Sequence, residues 1–433
     1  MSSKINVDRR SLLRSTAAVA GTVLAAPFIL RKTARASDES ITILNTFPTL
    51  ANEYWQGWNA GAKQACNQLG LKYISQTYED SVEKQISQIE QAPSLGANAV
   101  VTFAQNAEII KALARTAKQV GVILANAHST AAWLDPADPA FEGTYTLYSQ
   151  PDNIRGVAAM ANVLFQKIGG EGDVIYVAGL PGNFSAETRA AGVQQALAQN
   201  PKIRLVAQEN GGENRISARP VVENLLTAHP DVKAIVSYNA DTAIAVLDVL
   251  RDRGLSGRIF TNGVDETSEM LTRIRSDPSA LGTVGINGPF MTGYSAVTLY
   301  DALEGVKTDP LENMRYFDSM LIDTPEAAVK FSALMDPEKP LPFDFKSMSR
   351  HLHPDDWTIQ WGMEIIDPRK LWASVPSMAS SKPAAWSLPE SVTASLEAGD
   401  LEKLNALYRS HFRAGPLGEA IALTRTKSTV LGF

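Results

Sequence analysis

Between residues 226 and 294 the chain repeats one unit: a short apolar run, a polar residue at its end, then an amphipathic stretch. Residues 233–238 (KAIVSY) lead into Asn239 and Asp241, residues 258–264 (RIFTNGV) into Asp265, and residues 282–286 (GTVGI) into Asn287. A strand with one wet face alternates apolar and polar residues, whereas a strand covered on both faces reads as an unbroken Val/Ile-rich run. Continuous runs alternating with helical segments therefore call for a parallel sheet with helices on both sides. Such sheets bind ligands in the crevice beyond the carboxyl ends of their strands. Polar side chains at successive strand ends place a small-molecule site there.

The same rhythm starts at Ser40. After an expected strand at 41–47, Trp55, Trp58, Ala62, Ala65 and Leu69 recur every three or four residues, forming one buried helical stripe. Gly70 ends it, as a residue free to take positive φ does at a helix terminus. Strands are expected at 71–77, 99–104 and 122–126, with helices around the Val82, Ile86, Ile89 stripe and over 107–120. Residues 128–143 break the pattern with Asp/Pro-type turn signals. After a strand at 144–149 the series resumes with helices at 152–168, 186–199 and 217–228 and strands at 173–177 and 203–208. The expected fold is α/β, with two Rossmann-like doubly wound lobes whose strand ends face a shared cleft, a geometry suited to hinge closure.

The N-terminus reads as an address. Asp8-Arg9-Arg10-Ser11-Leu12-Leu13-Arg14 precedes a mildly apolar stretch at 17–30, and Ala34-Arg35-Ala36 closes it. Paired arginines, a moderate apolar core and a small-x-small end describe a cleavable twin-arginine type export signal, with Asp8 standing where Ser or Thr is more usual. A membrane anchor needs about 20 apolar residues, and this stretch is shorter and interrupted by Gly21 and Pro27. Cleavage is expected after Ala36, which leaves 33 basic and 45 acidic residues, a net charge of −12. No basic tract remains to neutralise phosphates, so nucleic acid is not an expected partner. The single cysteine, Cys66, excludes an internal disulfide and lies on the apolar face of the first helix.

These residues resemble the ribose-type (type 1) periplasmic sugar-binding proteins of ABC importers over roughly residues 40–323. The likeness is carried by Leu225-Leu226-Thr227-Ala228-His229-Pro230-Asp231-Val232 followed by a strand and Asn239, and by Gly263-Val264-Asp265. Arg189-x-x-Gly192 and Thr49-Leu50-Ala51-Asn52-Glu53-Tyr54-Trp55 add to it. The resemblance implies two lobes joined by a three-segment hinge. The expected division is a leader at 1–36, a first lobe at 37–148 and 288–315, a second lobe at 149–287 and 316–323, and a C-terminal extension at 324–433. It also implies roles: Asn52 bonding ligand hydroxyls, Tyr54 and Trp55 offering an apolar face to a sugar ring, and Arg189 binding hydroxyls. Asn239 would stand at the hinge-side strand end, Asp265 would accept from two neighbouring hydroxyls, and Asn287 would supply an amide at the third crossing. Asp241 follows Asn239 at its strand end. Where the family often places an aromatic residue, the chain has Glu213 and Asn214. Where ribose-type proteins carry an Asp-Arg clamp, it reads Asn126-Ala127, then His128. A carboxylate and a fork of donors are thus replaced by a neutral amide and a methyl group.

Plainer roles compete at several of these positions. Asn52 can be an N-cap, Asp265 can cap the helix that follows it, Trp55 can be core, Arg189 can pair with a helix neighbour and His128 can be a loop residue. Four of the seven tryptophans (Trp357, Trp361, Trp372, Trp386) lie in the extension, which argues that it packs against the lobes. Residues 331–344 and 374–389 are expected to be irregular, and 390–412 helical with a break at Gly399. His351, His353 and Asp355 have donor types a metal accepts, but Pro354 and their tight spacing disfavour one shared site, so no metal is expected. No nucleophile elbow, zinc-hydrolase helix or phosphate loop is present. The expected protein is a periplasmic monomer without cofactor that binds a sugar or polyol without turnover and delivers it to an inner-membrane ABC permease. A ligand sensor feeding a chemoreceptor or histidine kinase is the alternative, and a periplasmic carbohydrate-active enzyme fits less well.

Overall fold

The computed structural model describes residues 40–423. The expected leader at 1–36 lies outside the described residues. The chain opens with β1 (Thr42–Phe47), α1 (Glu53–Leu69), β2 (Lys72–Thr77), α2 (Val82–Gln91), β3 (Ala99–Phe103), α3 (Ile110–Val120), β4 (Ile123–Ala127) and β5 (Tyr145–Pro151). Then come α4 (Asn153–Lys167), β6 (Gly172–Ala178), α5 (Phe184–Gln199), β7 (Ile203–Asn210), α6 (Arg215–Ala228) and β8 (Ala234–Ser237). They are followed by α7 (Ala240–Asp252), β9 (Phe260–Val264), α8 (Ser268–Ser276), β10 (Ala280–Gly285) and α9 (Gly288–Leu303). The final part holds β11 (Met314–Phe317), β12 (Met320–Ile322), α10 (Pro325–Leu334), β13 (Met363–Ile365), α11 (Pro368–Ala373), α12 (Pro376–Ser380), α13 (Glu390–Glu397), α14 (Asp400–His411) and α15 (Pro416–Ala420).

Two sheets result. One has the order β13-β11-β5-β4-β3-β1-β2 and the other β12-β10-β9-β8-β6-β7; all pairings are parallel except those of β13 and β12 at the edges. The unbroken apolar runs are the buried strands: β8 is buried at every position, as are four of the five residues of β9. Helix starts follow local chemistry. Asn52, Asn214 and Asn239 each accept a backbone N–H two or three residues into the helix they open, and Gly70 closes α1 in the left-handed region as anticipated.

The chain passes from one sheet to the other after β5, back after β10, and across again between β11 and β12. Residues 316–323, expected as one strand of the second lobe, divide there. Tyr316 and Phe317 pair with Gln150 and Pro151 in the first sheet, and only Met320–Ile322 pair with β10 in the second. Asp318 and Ser319 make the step, with Asp318 N–H donating to Gly362 and Ser319 Oγ to Asp152 O. Strand β5 also runs past residue 148, to Pro151.

The extension is more ordered than its composition suggests. Residues 331–344 begin as the last turn of α10, which Thr324 caps and Pro325 starts, and α12 interrupts 374–389. The break at Gly399 between α13 and α14 stands where expected. Strand β13 extends the first sheet beyond β11, Trp361 and Trp372 are fully buried, and Phe345 packs where Gly293 of α9 leaves no side chain in its way. Gln64 and Gln68 of α1 hold backbone groups of residues 341, 343 and 345. On the second lobe α10 packs against α8, and Leu321 N–H donates to Ala422. The extension therefore touches both lobes.

Candidate functional site

A cavity of about 850 Å³ lies between the carboxyl ends of the two sheets. The first-lobe wall is aromatic. Trp55 meets Tyr54 edge-on at 4.9 Å and Phe103 at 4.8 Å, and His128 sits 5.6 Å from Phe103 and 6.1 Å from Tyr54 between ring centres. Phe103 ends β3; attention to polar strand ends passes over it, although its place at a carboxyl end is the same signal. Burial, reinforced by the charge of Arg189, pushes His128 down to about 3, so its imidazole is neutral across the physiological range.

The second-lobe wall is charged. Arg189 of α5 is 4% exposed, donates to Tyr238 O at 3.1 Å and lies 4.7 Å over the Tyr238 ring. Its Nε donates to Asn153 Oδ1, and its Nη2 lies 3.6 Å from Asp265 Oδ1, which is beyond a hydrogen bond and leaves both groups with capacity for a ligand. Burial raises Asp265, with Asp241 and Glu213 adding to the rise and Arg189 opposing it. Next to it, burial pushes Glu266 up to about 7 while its carboxylate accepts the N–H groups of Ile286 and Asn287 at 2.9 and 3.1 Å. Glu213 accepts from Leu180 N–H at 3.0 Å, and exposed Asp241 lines the same wall.

The backbone is bent into position here. His128, Glu213, Asp265 and Asn287 have φ of 78°, 63°, 83° and 50°, a region that side-chain-bearing residues enter at a cost. Such conformations persist where surrounding structure enforces them, and they concentrate at ligand clamps. At the cleft, hydrogen bonds cross between the lobes: Ser185 Oγ lies 3.2 Å from His128 Nδ1, and Glu53 accepts from Ser268 N–H at 2.8 Å. Ser185 does not stand out in sequence, and Glu53 is read there only as part of the motif at 49–55. Among the buried polar atoms without partners are Tyr54 Oη and Asn287 Nδ2. A buried group without a partner costs about 1–3 kcal/mol. Tyr54, which lines the cavity, therefore has a hydroxyl left for a ligand, whereas Asn287 lies outside the lining.

Three sequence candidates do not open on the cleft. Asn126 is fully buried in β4; its carbonyl accepts Ala104 N–H at 3.1 Å and its amide donates to Ser129 O at 2.6 Å. It braces two loops, because its place in the sheet turns it into the lobe. Asn214 caps α6 and donates to Gly212 O, on the exposed rim and away from the cavity lining. Asn287 is 1% exposed, its carbonyl accepts Phe290 N–H at the start of α9, and it too is absent from the lining. Asn52 and Asn239 do line the cavity while capping their helices, and Asn239 also donates to Glu213 O. Both roles coexist there.

Residues 43–307 match the model of the periplasmic binding protein domain, well over half of the chain. The chain belongs to the periplasmic binding protein family. Its fold is the type 1 form, two α/β lobes with a cleft between their strand ends. Among curated members it is similar to the D-allose-binding periplasmic protein of Escherichia coli, 26% identical over 320 residues that cover 68% of this chain and 94% of the relative. It is also similar to the xylitol-binding protein of Mycolicibacterium smegmatis, 24% identical over 245 residues, 56% of this chain and 67% of that one. Among solved structures, an ABC transporter periplasmic solute-binding protein from Actinobacillus succinogenes with bound D-allose superposes with a TM-score of 0.61 at 22% identity. That match covers 67% of this chain and 99% of the other. The domain match ends before β11, so this binding protein carries its extension outside the shared domain. Among the described residues no group of three or more His, Cys, Asp and Glu is placed to hold a metal. His353 Nδ1 lies 3.3 Å from Asp356, and His351 lies on the Tyr300 ring.

Proposed function

We propose that the protein captures a sugar or polyol between its two lobes, without turnover, and delivers it to an inner-membrane ABC permease. It does so as a monomer in the periplasm, reached through the twin-arginine type signal at 1–36. The observation that carries this reading is the pairing of walls: Arg189 and Asp265 face an aromatic surface of Tyr54, Trp55 and Phe103 across one cleft. Polyhydroxylated rings present hydroxyls at their rim and C–H groups on their faces, and each wall suits one of these. Arg189 and Asp265 grip adjacent hydroxyls through charge-assisted bonds, which are the stronger ones. Asp241 and Glu213 add acceptors, Asn239 and Asn52 add amides, and neutral His128 can donate or accept without repelling Arg189. Relatives that bind D-allose and xylitol support the ligand class.

Capture follows from closure. When water is excluded, a ligand lacking one expected hydroxyl leaves a buried group unpaired, and that penalty supplies specificity. Micromolar binding needs only about −8 kcal/mol, which a few such bonds and one stacked face provide. Titration calorimetry of the exported chain against pentoses, hexoses, tetritols, pentitols and inositols tests the reading. Saturable binding by at least one of them is expected, and binding only by another solute class would overturn it.

A further inference from the structure

The cleft does not end at Asp265. A second cavity of about 560 Å³ adjoins it, and Glu53, Tyr54, Gln56, Asp265 and Thr267 line both. Its far wall is built by the extension: Phe331, Ser332 and Met335 of α10, then Pro337, Lys339 and Leu341. All of these residues lie beyond the matched family domain, which ends at residue 307. A chain without the extension has no such chamber.

The chamber differs chemically from the cleft. Several of its polar side chains are already engaged: Gln64 with the backbone of Leu341 and Phe343, Gln56 with Leu50 O, Ser332 with Ala328 O, and Lys339 with Asp336. Glu266 is held by Ile286 and Asn287 N–H. What remains for an occupant is apolar surface from Leu271, Pro289, Phe331, Met335 and Leu341, together with the open face of α1 at Gly57 and Ala60. A second hydroxylated ring would lose water bonds there without replacement, whereas an alkyl or aryl group would gain by burial. The exceptions belong to residues that line both cavities: Asp265, whose carboxylate keeps capacity for a ligand, and Tyr54, whose buried hydroxyl is without a partner.

We propose that the natural ligand is a sugar or polyol bearing an apolar substituent, its hydroxylated part in the cleft and its substituent in the chamber roofed by the extension. This rests on the sugar-or-polyol reading of the cleft and adds the class of group attached to it.

The test compares D-allose, D-ribose, xylitol and myo-inositol with the hexyl and phenyl glycosides or monoethers of each, by titration calorimetry on the chain with its extension. A substituted compound is expected to bind about tenfold or more tightly than its parent, since a few buried methylenes suffice for that gain. Ser332→Trp fills the chamber and should remove the gain while leaving the parent's affinity unchanged. Ala60→Leu fills it from the opposite wall and serves if the first variant melts early. Parents that bind while their substituted forms bind equally or more weakly would overturn the chamber proposal and leave the cleft assignment standing. A gain that survives in both filled variants would also overturn it. Binding by none of these compounds, nor by any member of the wider sugar and polyol panel, would bring down the cleft assignment and the chamber with it.

Discussion

The two walls of the cleft are made from opposite materials. The first lobe contributes rings (Tyr54, Trp55, Phe103, His128) and hardly any fixed charge, whereas the second contributes Arg189, Asp241, Asp265 and Glu213. A protein that met its ligand with two charged walls would pay for desolvating both on closure. Placing the charges on one lobe and low-polarity surface on the other lets closure strengthen the charged contacts by drying them. The walls also answer pH with opposite signs. His128 is depressed from 6.5 to about 3, so the unfolded chain binds more protons in that interval and stability falls as the solution is acidified through it. Glu266, behind the charged wall, is raised from 4.5 to about 7, so the folded chain binds more protons and stability falls as pH rises through that interval.

The largest effect should follow from taking the cation out of the charged wall. Arg189→Ala should weaken sugar or polyol binding by about a hundredfold or more, roughly 3 kcal/mol, in calorimetry. If the same loss came from Trp55→Leu and not from Arg189→Ala, the division of labour between the walls would be reversed. Next in size, Tyr54→Phe should lower affinity about tenfold yet leave the unliganded melting temperature unchanged or slightly higher. It removes a buried hydroxyl that has no hydrogen-bond partner within the protein. A clear drop in the unliganded melt would mean that the hydroxyl is structural.

The pH contrast gives a smaller pair of effects. His128→Asn should flatten the loss of stability between about pH 6.5 and pH 3, and Glu266→Gln the loss between about pH 4.5 and pH 7. Each slope is at most about 1.4 kcal/mol per pH unit, read from chemical denaturation at a series of pH values. Equal slopes in variant and parent would remove the contrast. The smallest change in binding is expected from Asn126→Ala. It should cost about 2–3 kcal/mol of stability, since Ala104 N–H and Ser129 O lose their partners, with affinity nearly unchanged. A selective loss of affinity would put Asn126 back among the ligand contacts.

Asn126 also shows where reading from sequence stops. The rhythm of strands and helices is legible because a strand buried on both faces needs apolar residues throughout, which is a local demand. Asp265 was legible for a related reason, since it follows a strand at the end of the sheet where ligands sit, whereas Arg189 and the Tyr54-Trp55 pair came forward only through the family resemblance. Asparagines at the same ends carry two messages at once. An amide that can cap a helix can also grip a hydroxyl, and Asn52, Asn214, Asn239 and Asn287 all cap, yet only Asn52 and Asn239 also line the cavity. Phe103 went unmarked because it is apolar at a strand end read for polar residues, and Ser185 because a serine in the first turn of a helix carries no distinguishing pattern before the lobes come together.

The sequence by itself determined the α/β class, the series of strand ends and the types of side chain placed there, because burial and capping act within a few residues. The tertiary structure decided which of those side chains face one another, how Tyr316–Ile322 divides between two sheets, and where the extension goes. Its strand β13 pairs with β11 and its helix α10 lies on α8, contacts between segments dozens of residues apart. No local pattern encodes such pairings, since they depend on which surfaces the two lobes leave uncovered once folded.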